Sequence, residues 1–310
     1  MVFEVLSRIR KSENGYLQGG IFFGNLLLRS IRHILIQGRC RSALGSKRWR
    51  LRHFKNSDTL FILGSGESIA GYTERQFEEI QHHDSAGFNF WMLHPHVPTY
   101  YIAEFRSESE RSDLLWKNLS CRAQDYSEVP VIFKYSTTFW NERELLPKIL
   151  NQVFVATHQS IPGMTGRSLK RWLSLLDSLK MFGRTLPAGL ILFRQASLSW
   201  LLIFAMQLGY RKIVLCGVDL NTPRYFYEIS PDFCHQRGLL IPPPDFTTPI
   251  HPTNNPSHCT GGLPIADVLH IMDDVLLKKR GIELYVGAES SALYPGFPVY
   301  NWPNERLSQQ

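Results

Sequence analysis

A short segment rich in glycine and serine, Gly64-Ser65-Gly66-Glu67-Ser68, has the residue types of a loop that binds a phosphate or a ribose. It follows the apolar run 59–63, which is typical of a buried strand. Small side chains let a ligand approach backbone N–H groups, often at the start of a helix, and glycines tolerate positive φ angles. The next glycine is Gly71, so the spacing is not the dinucleotide fingerprint. A tight turn without a ligand is the alternative interpretation.

A proline-rich segment, residues 220–262, is the second candidate for chemistry. It begins directly after Gly217-Val218-Asp219, at the predicted carboxyl end of a strand, where open α/β sheets bind ligands. It contains the aromatic run 225–227 and three histidines, which are His235, His251 and His258. Long irregular segments of this kind are usually binding loops or lids, so we predict a lid here. An insertion without a role is the alternative.

Strands and helices that alternate along the chain must position these segments. The predicted strands are 59–63, 85–89, 99–103, 130–134, 152–156, 212–216 and 282–286. The predicted helices are 73–81, 107–118, 141–150, 167–181, 196–208 and 264–280. The helix at 196–208 is apolar nearly all round and is expected in the core. The alternation predicts an α/β fold with a mostly parallel, Rossmann-like sheet.

The positive charge of the chain is concentrated at its N-terminus. Residues 1–57 hold twelve Lys/Arg and two acidic residues, whereas the rest of the chain holds 22 basic and 25 acidic residues. We therefore expect a basic arm at 1–57, a domain at 58–295 that includes the lid, and a tail at 296–310. A domain with this charge balance does not have the basic surface of a nucleic-acid-binding protein.

The arm combines an apolar stretch, residues 21–36, with an acid-free basic stretch, residues 37–55. The apolar stretch is too short and too charged to span a bilayer, and no secretory cleavage site follows it. The combination predicts a helix that lies on an anionic membrane surface. A helix packed on the domain, followed by a solvated basic linker, is the alternative.

Cysteine usage indicates a reducing compartment. The five cysteines include no C-x-x-C pair, and Cys216 lies inside an apolar strand pattern, where a reduced thiol behaves as a small hydrophobic group. With the arm, this predicts a cytoplasmic protein that is peripheral on the inner face of the membrane.

Several motifs occur in a fixed order between residues 59 and 293. They are Gly64–Ser68, Phe88-Asn89, Tyr101-Ile102-Ala103-Glu104, Arg194-Gln195-Ala196-Ser197, Leu208–Ile213, Gly217-Val218-Asp219, Ser257-His258, Leu284-Tyr285 and Ser291-Ala292-Leu293. This ordered set resembles the bacterial sialyltransferase-like superfamily. That group includes CMP-sialic-acid-dependent transferases of surface glycolipids and related surface-polysaccharide and flagellin-modifying proteins.

The resemblance implies a variant of the glycosyltransferase A-type fold, a CMP-sugar donor and a glycan or glycolipid acceptor. It implies no cofactor and no metal site; Mg²⁺ is possible but not required. The residues implied to hold the nucleotide are Gly64, Ser65, Gly66, Glu67, Ser68, Asn89, Glu104, Ser197, Asp219 and Asn221. Arg194 is implied in the active site, and Tyr227 is implied to donate to the departing phosphate. Preplaced donors of this kind stabilise charge that develops as the phosphate leaves.

Two positions depart from the family pattern. Asn221 stands where the family has a second tyrosine, and Gly262 stands where it has the catalytic histidine. Because glycine cannot accept a proton, either another residue acts as the general base, or the acceptor differs, or activity is lost. His258 is the first candidate, and His251, His235 and Glu228 are the others.

Two other functions are compatible with the sequence. A pyrophosphokinase related to the pterin diphosphokinase-like proteins would need bound Mg²⁺ and contacts to a triphosphate. A non-catalytic nucleotide-sugar-binding module is favoured by Gly262.

Overall fold

A computed structural model describes residues 15–44, 51–104, 110–134, 150–183, 186, 188–244, 250–255 and 262–303. The strands are β1 (Thr59–Leu63), β2 (Asp84–Phe88), β3 (Tyr100–Glu104), β4 (Val131–Lys134), β5 (Val153–Ser160), β6 (Leu190–Phe193), β7 (Lys212–Cys216) and β8 (Glu283–Val286). The α-helices are α1 (Gly15–Leu44), α2 (Glu74–Gln81), α3 (Glu110–Cys121), α4 (Gly166–Ser178), α5 (Ser197–Leu208), α6 (Phe226–Ile229), α7 (Asp232–Gln236) and α8 (Ile265–Met272). Short 3₁₀ segments lie at Leu51–Phe54, Glu67–Gly71, Asn89–Leu93 and Lys278–Arg280.

The strands form one eight-stranded sheet in the order β6-β5-β4-β3-β2-β1-β7-β8, and every pairing is parallel. The predicted α/β fold with a mostly parallel, Rossmann-like sheet is therefore confirmed. From β1 the chain proceeds outward to β6 and then returns to β7 on the other side of β1. The strand order consequently reverses between β1 and β7, which is where open α/β sheets bind ligands.

Most predicted elements lie close to their observed positions. The strands β1 and β7 have the predicted bounds, whereas β6 was not predicted and β5 extends to Ser160. The predicted helix over 264–280 is α-helical only to Met272 and continues as a π-helical segment, Asp273–Leu277. The predicted helix over 141–150 lies outside the described residues except for Leu150.

Each strand contributes to two apolar layers because successive side chains point to opposite faces. In β1, Leu60 and Ile62 join the layer that contains α5, whereas Phe61 and Leu63 join the layer on the other face. The helix α5 is almost entirely buried, as its apolar sequence predicts. Each fully buried large apolar side chain contributes about 1.5–3 kcal/mol to this core.

The first part of the predicted lid is a fixed part of the domain. It forms α6 and α7, and Phe226, Tyr227 and Cys234 are buried in the core. The expectation of an irregular lid is corrected for this part, because large aromatic side chains are stabilised by burial. Residues 245–249 and 256–261 of the predicted lid lie outside the described residues.

The described part of the predicted arm also packs on the domain. Three side chains on one face of α1 contact backbone carbonyls of β5 and of the segment before β6. Arg29 Nη1 bonds His158 O at 2.6 Å, His33 Nε2 lies 2.9 Å from Ala188 O, and Gln37 Nε2 bonds Val155 O at 2.6 Å. These contacts fix α1 on the domain, as the alternative interpretation of a packed helix expects. No helix in the described part of the chain combines the length and hydropathy needed to cross a bilayer.

The predicted boundary at residue 295 is corrected as well. Phe297 and Trp302 are buried, and the Trp302 indole donates to Gly287 O at 2.9 Å. Val299 pairs with Val286 of β8. Residues 296–303 therefore belong to the domain, because their apolar side chains complete its core.

Candidate functional site

Most of the predicted site residues lie at the carboxyl edge of the sheet. Because all eight strands are parallel, the residues that follow them meet along this one edge. The residues there are Gly64–Ser68 after β1, Asn89 after β2, Glu104 at the end of β3, Arg194 and Ser197 between β6 and α5, and Asp219 after β7.

The loops after β1 and β7 are joined at the point where the strand order reverses. The Gly64 N–H donates to Cys216 O at 2.8 Å, and the Gly66 N–H donates to Gly217 O at 2.9 Å. A Cβ atom added at Gly66 would lie 2.4 Å from Asp219 Oδ2. Close backbone packing between these loops therefore explains the glycines, and two of the loop's N–H groups are already used within the fold.

Asp219 holds this junction together. Its carboxylate accepts hydrogen bonds from the Ser68 backbone at 2.9 Å and from Ser68 Oγ at 2.6 Å. Burial raises the pKa of Asp219, and the bonds from Ser68 oppose that effect. Gly66 and Asp219 thus lie side by side at the carboxyl ends of β1 and β7.

Two stacked tyrosines lie against the β1 loop. The Phe226 N–H donates to Ser65 O at 3.0 Å, and Tyr225 forms an isolated bridge with Gly66. The rings of Tyr225 and Tyr227 stack with their centroids 5.2 Å apart. Tyr227 is buried, and burial, followed by the neighbouring Tyr225, raises its pKa. The Tyr227 phenol therefore stays protonated at neutral pH and can act as a hydrogen-bond donor.

A histidine and an arginine complete this side of the site. The His251 ring packs edge-on to Tyr225 with centroids 6.4 Å apart, and its Nδ1 lies 2.8 Å from Thr253 Oγ1. Burial, followed by the charge of Arg111, lowers the pKa of His251, so its imidazole is neutral at neutral pH. The Arg111 guanidinium lies 4.6 Å from the centre of the Phe90 ring, which itself packs on Tyr227. No sequence motif pointed to Arg111.

A buried ionic cluster occupies the neighbouring part of the edge. Lys134 Nζ contacts Glu104 Oε2 at 2.8 Å and Ser197 Oγ at 3.0 Å, and the Ser197 hydroxyl donates to the same carboxylate. Burial opposes ionisation of Glu104, but the charge and hydrogen bond of Lys134 outweigh it and lower the pKa of Glu104 to about 2. Lys134 was missed, although it follows an apolar strand in the same way as the residues that were predicted.

Arg194 lies at the carboxyl end of β6, but its guanidinium donates to Ile161 O at 3.2 Å, in the loop after β5. The next two residues have positive φ angles, 57° at Gln195 and 31° at Ala196. Such strain in non-glycine residues costs on the order of 1–3 kcal/mol each and is concentrated at functional sites. Ser199 Oγ, which donates to Gln195 O at 2.6 Å, helps to hold this turn.

Two asparagines predicted at the site have different surroundings. Asn89 has a φ angle of 52°, and its carbonyl accepts a hydrogen bond from the Tyr101 hydroxyl. Asn221 is exposed and donates to Ser290 O at 2.8 Å. The fold therefore keeps Asn89 beside the strand ends and directs Asn221 toward the loop after β8.

The predicted base candidates are not all at the site. His235 is exposed on α7, and Glu228 Oε2 accepts the Tyr225 N–H at 2.9 Å as part of the cap of α6. His258 lies outside the described residues. Among the described candidates, His251 packs its ring on the Tyr225 ring, whereas the Glu228 carboxylate is engaged by the Tyr225 backbone.

An open groove of about 590 Å³ adjoins the β1 loop on the β8 side. The residues lining it include Glu67, Ser68, Tyr72, Ile229 and Ser290. Asn89, Glu104, Arg194 and Tyr227 do not line it. The groove therefore adjoins the predicted residues of the β1 loop but not those at the ends of β2, β3 and β6.

No family model matches the chain, and no curated protein matches it. The structure is similar to the crystal structure of the monofunctional alpha-2,3-sialyltransferase Cst-I from Campylobacter jejuni, with a TM-score of 0.42 and 13% sequence identity. The similarity covers 79% of this chain and 81% of the other. A likeness this distant assigns neither a function nor the role of any residue.

Proposed function

We propose that this protein is a glycosyltransferase that transfers an acidic, sialic-acid-like sugar from a CMP-sugar to a surface glycan or glycolipid. The observation that carries the proposal is the junction of the β1 and β7 loops, with Tyr225 and Tyr227 stacked beside it. Open α/β sheets bind nucleotides at such a reversal of strand order. That the nucleotide is CMP is implied by the resemblance of the ordered motifs to the sialyltransferase-like superfamily.

In this proposal Tyr227 donates a hydrogen bond to the phosphate of the departing CMP. Its raised pKa keeps the phenol protonated, which this role requires. Arg111, whose charge acts on both Tyr227 and His251, supplies a nearby cation. Negative charge develops on the phosphate as the sugar leaves, and one preplaced donor is typically worth about 2.7–4 kcal/mol in the transition state.

Glu104 is proposed to bind the ribose. Its Oε2 is engaged by Lys134 and Ser197, and its side chain is 28% exposed. Because Lys134 keeps the carboxylate ionised, Oε1 can accept hydrogen bonds from ribose hydroxyls. Carboxylates at the ends of strands perform this task in other nucleotide-binding α/β proteins.

His251 is the described residue that best supports the role of general base. Its Nδ1 accepts the Thr253 N–H at 3.4 Å and lies 2.8 Å from Thr253 Oγ1, which places the ring proton on Nε2. To act as the base, the ring must take the other tautomer, in which Nδ1–H is donated to Thr253 Oγ1 and Nε2 accepts the proton of an acceptor hydroxyl. His258, which lies outside the described residues, remains the first candidate for the general base from the sequence. The two are distinguished by measuring transfer with His251→Ala and with His258→Ala.

A non-catalytic nucleotide-sugar-binding module is the second candidate. Gly262, at the family's histidine position, has a φ angle of 74°, and an added Cβ would lie 3.1 Å from Met164 O. A side chain at this position is disfavoured by the backbone, which supports a loss of the family's base. The described residues give the pyrophosphokinase reaction no specific support.

Replacement of Tyr227 by phenylalanine tests the proposal. With CMP-sialic acid and a glycan acceptor, Tyr227→Phe should lower the transfer rate about 10²–10³-fold and leave CMP affinity nearly unchanged. Tyr285→Phe, which removes a phenol on β8, is the matched control and should retain activity. Full activity of Tyr227→Phe would refute the role of the phenol. Binding of CMP without turnover of any CMP-sugar by the parent protein would favour the binding module.

A further inference from the structure

The outward face of α1 is an apolar stripe with nothing packed on it in the described structure. It consists of Leu27, Leu28, Ile31, Ile34 and Leu35, whose side chains are between 49% and 66% exposed. At 3.6 residues per turn these five positions lie on one side of the helix. Contiguous apolar patches on a soluble protein mark surfaces that bind a partner or a membrane.

The stripe cannot turn inward, because the opposite face of α1 is fixed to the domain. Phe22, Leu26 and Ile36 are buried there. His33, on the same face, lies between Ala188 O and Thr157 Oγ1 at 2.9 and 2.8 Å. The outward position of the leucines is therefore a consequence of the fold.

The part of the sequence that carries the stripe has charge of one sign. The sequence from residue 14 to residue 57 contains nine Lys/Arg and no acidic residue. Five of them follow the stripe within a short stretch of sequence: Arg39, Arg41, Lys47, Arg48 and Arg50. An apolar helix face combined with basic residues is the pattern of a helix that lies in the interface of an anionic bilayer.

We propose that the stripe docks the protein on an anionic membrane surface, with the leucine and isoleucine side chains inserted and the net positive charge of this part of the sequence attracted to the headgroups. A second copy of the chain is a less suitable occupant, because pairing would bring together two segments that carry only positive charge. This proposal goes beyond the proposed transferase activity and does not depend on it.

Docking through this face would also orient the domain. Along α1, Arg29 contacts the residue 158 carbonyl and Gln37 contacts the residue 155 carbonyl, so the helix runs antiparallel to β5. Leu27 and Leu28 are therefore the end of the stripe nearest the carboxyl edge of the sheet.

Vesicle flotation of the full-length protein tests the proposal. The parent protein should float with vesicles of phosphatidylcholine and phosphatidylglycerol more than with phosphatidylcholine alone, and added salt should reduce this preference. Leu28→Gln/Ile31→Gln/Leu35→Gln should reduce partition to anionic vesicles about tenfold or more. Lys47→Gln/Arg48→Gln/Arg50→Gln should lower the preference for anionic vesicles about tenfold or more.

The matched control is Leu175→Gln/Leu179→Gln, which alters two leucines that are 45% and 46% exposed elsewhere on the surface. This control should partition like the parent, and urea midpoints should show that all variants are folded. Equal flotation of the triple leucine variant and the parent would overturn the proposal, as would no flotation of the parent. If the parent protein dimerises without binding vesicles, and the triple leucine variant does not dimerise, then a second copy of the chain covers this face.

Discussion

Ser68 and Asp219 lie 151 positions apart in the chain, yet both the backbone N–H and the hydroxyl of Ser68 donate to the buried Asp219 carboxylate. These two bonds join the loop after β1 to the loop after β7 at the reversal of strand order. The same contact excludes any side chain at Gly66. The motif that resembles a phosphate-binding loop is thus first a packing junction between two strand ends.

Gly66→Ala should destabilise the protein by about 1–3 kcal/mol, because a Cβ here would overlap the Asp219 carboxylate and Gly217 O. Gly71→Ala is the matched control, since nothing lies within 4 Å of a Cβ at that position. Urea denaturation of both variants gives the comparison. Equal stability of the two variants would mean that the loops are not packed in this way.

Lys134→Met should destabilise the protein by about 3–5 kcal/mol, because it leaves the Glu104 carboxylate without its buried partner. The double variant Glu104→Gln/Lys134→Met should be more stable than Lys134→Met, since no unpaired charge remains. A double-mutant cycle from urea unfolding measures the coupling between the two residues. Strict additivity would show that the two side chains do not interact.

Acid should weaken the fold through Glu104. Its pKa in the folded protein, about 2, lies below the ordinary value of 4.5, so the stabilisation is present above pH 4.5 and is lost as the pH falls toward 2. We expect the unfolding free energy of the parent protein to fall more steeply over this window than that of Glu104→Gln/Lys134→Met. Chemical denaturation at a series of pH values measures both slopes, and identical slopes would contradict the assignment.

His33→Ala should destabilise the protein by about 1–3 kcal/mol or more, because it leaves Thr157 Oγ1 and Ala188 O without this buried partner. His53→Ala, at an exposed position, should have little effect on the urea midpoint. A chain that lacks residues 1–44 should be less stable still, since all the contacts of α1 with the domain are then lost. An unchanged midpoint for that chain would show that α1 is dispensable for the fold.

The sequence predicted the sheet well because buried parallel strands are continuous apolar runs, as in β1 and β7. It missed β6, since a four-residue run such as Leu190–Phe193 gives too little pattern to separate strand from turn. It also assigned α1 to a separate arm, because periodicity reports that a helix has an apolar face but not which surface that face covers. The backbone carbonyls that Arg29, His33 and Gln37 contact are brought together only in the folded sheet.

The candidate site was predicted in part for a similar reason. Gly66, Glu104 and Asp219 were predicted because they belong to the ordered motifs, and the structure has them at the ends of β1, β3 and β7. Arg111 lies in a helix, and its position over Phe90 depends on tertiary packing that no local pattern contains. Lys134 ends β4 in the same way that Glu104 ends β3, so its position at this edge of the sheet could have been predicted from the strand pattern.

Isothermal titration of the full-length protein with CMP and, separately, with ATP and Mg²⁺ tests the central claim most directly. A CMP-sugar transferase should bind CMP without a divalent cation and should bind it more tightly than it binds ATP. Addition of Mg²⁺ should leave the affinity for CMP nearly unchanged. Preference for ATP with Mg²⁺, or no binding of CMP, would contradict the proposed function.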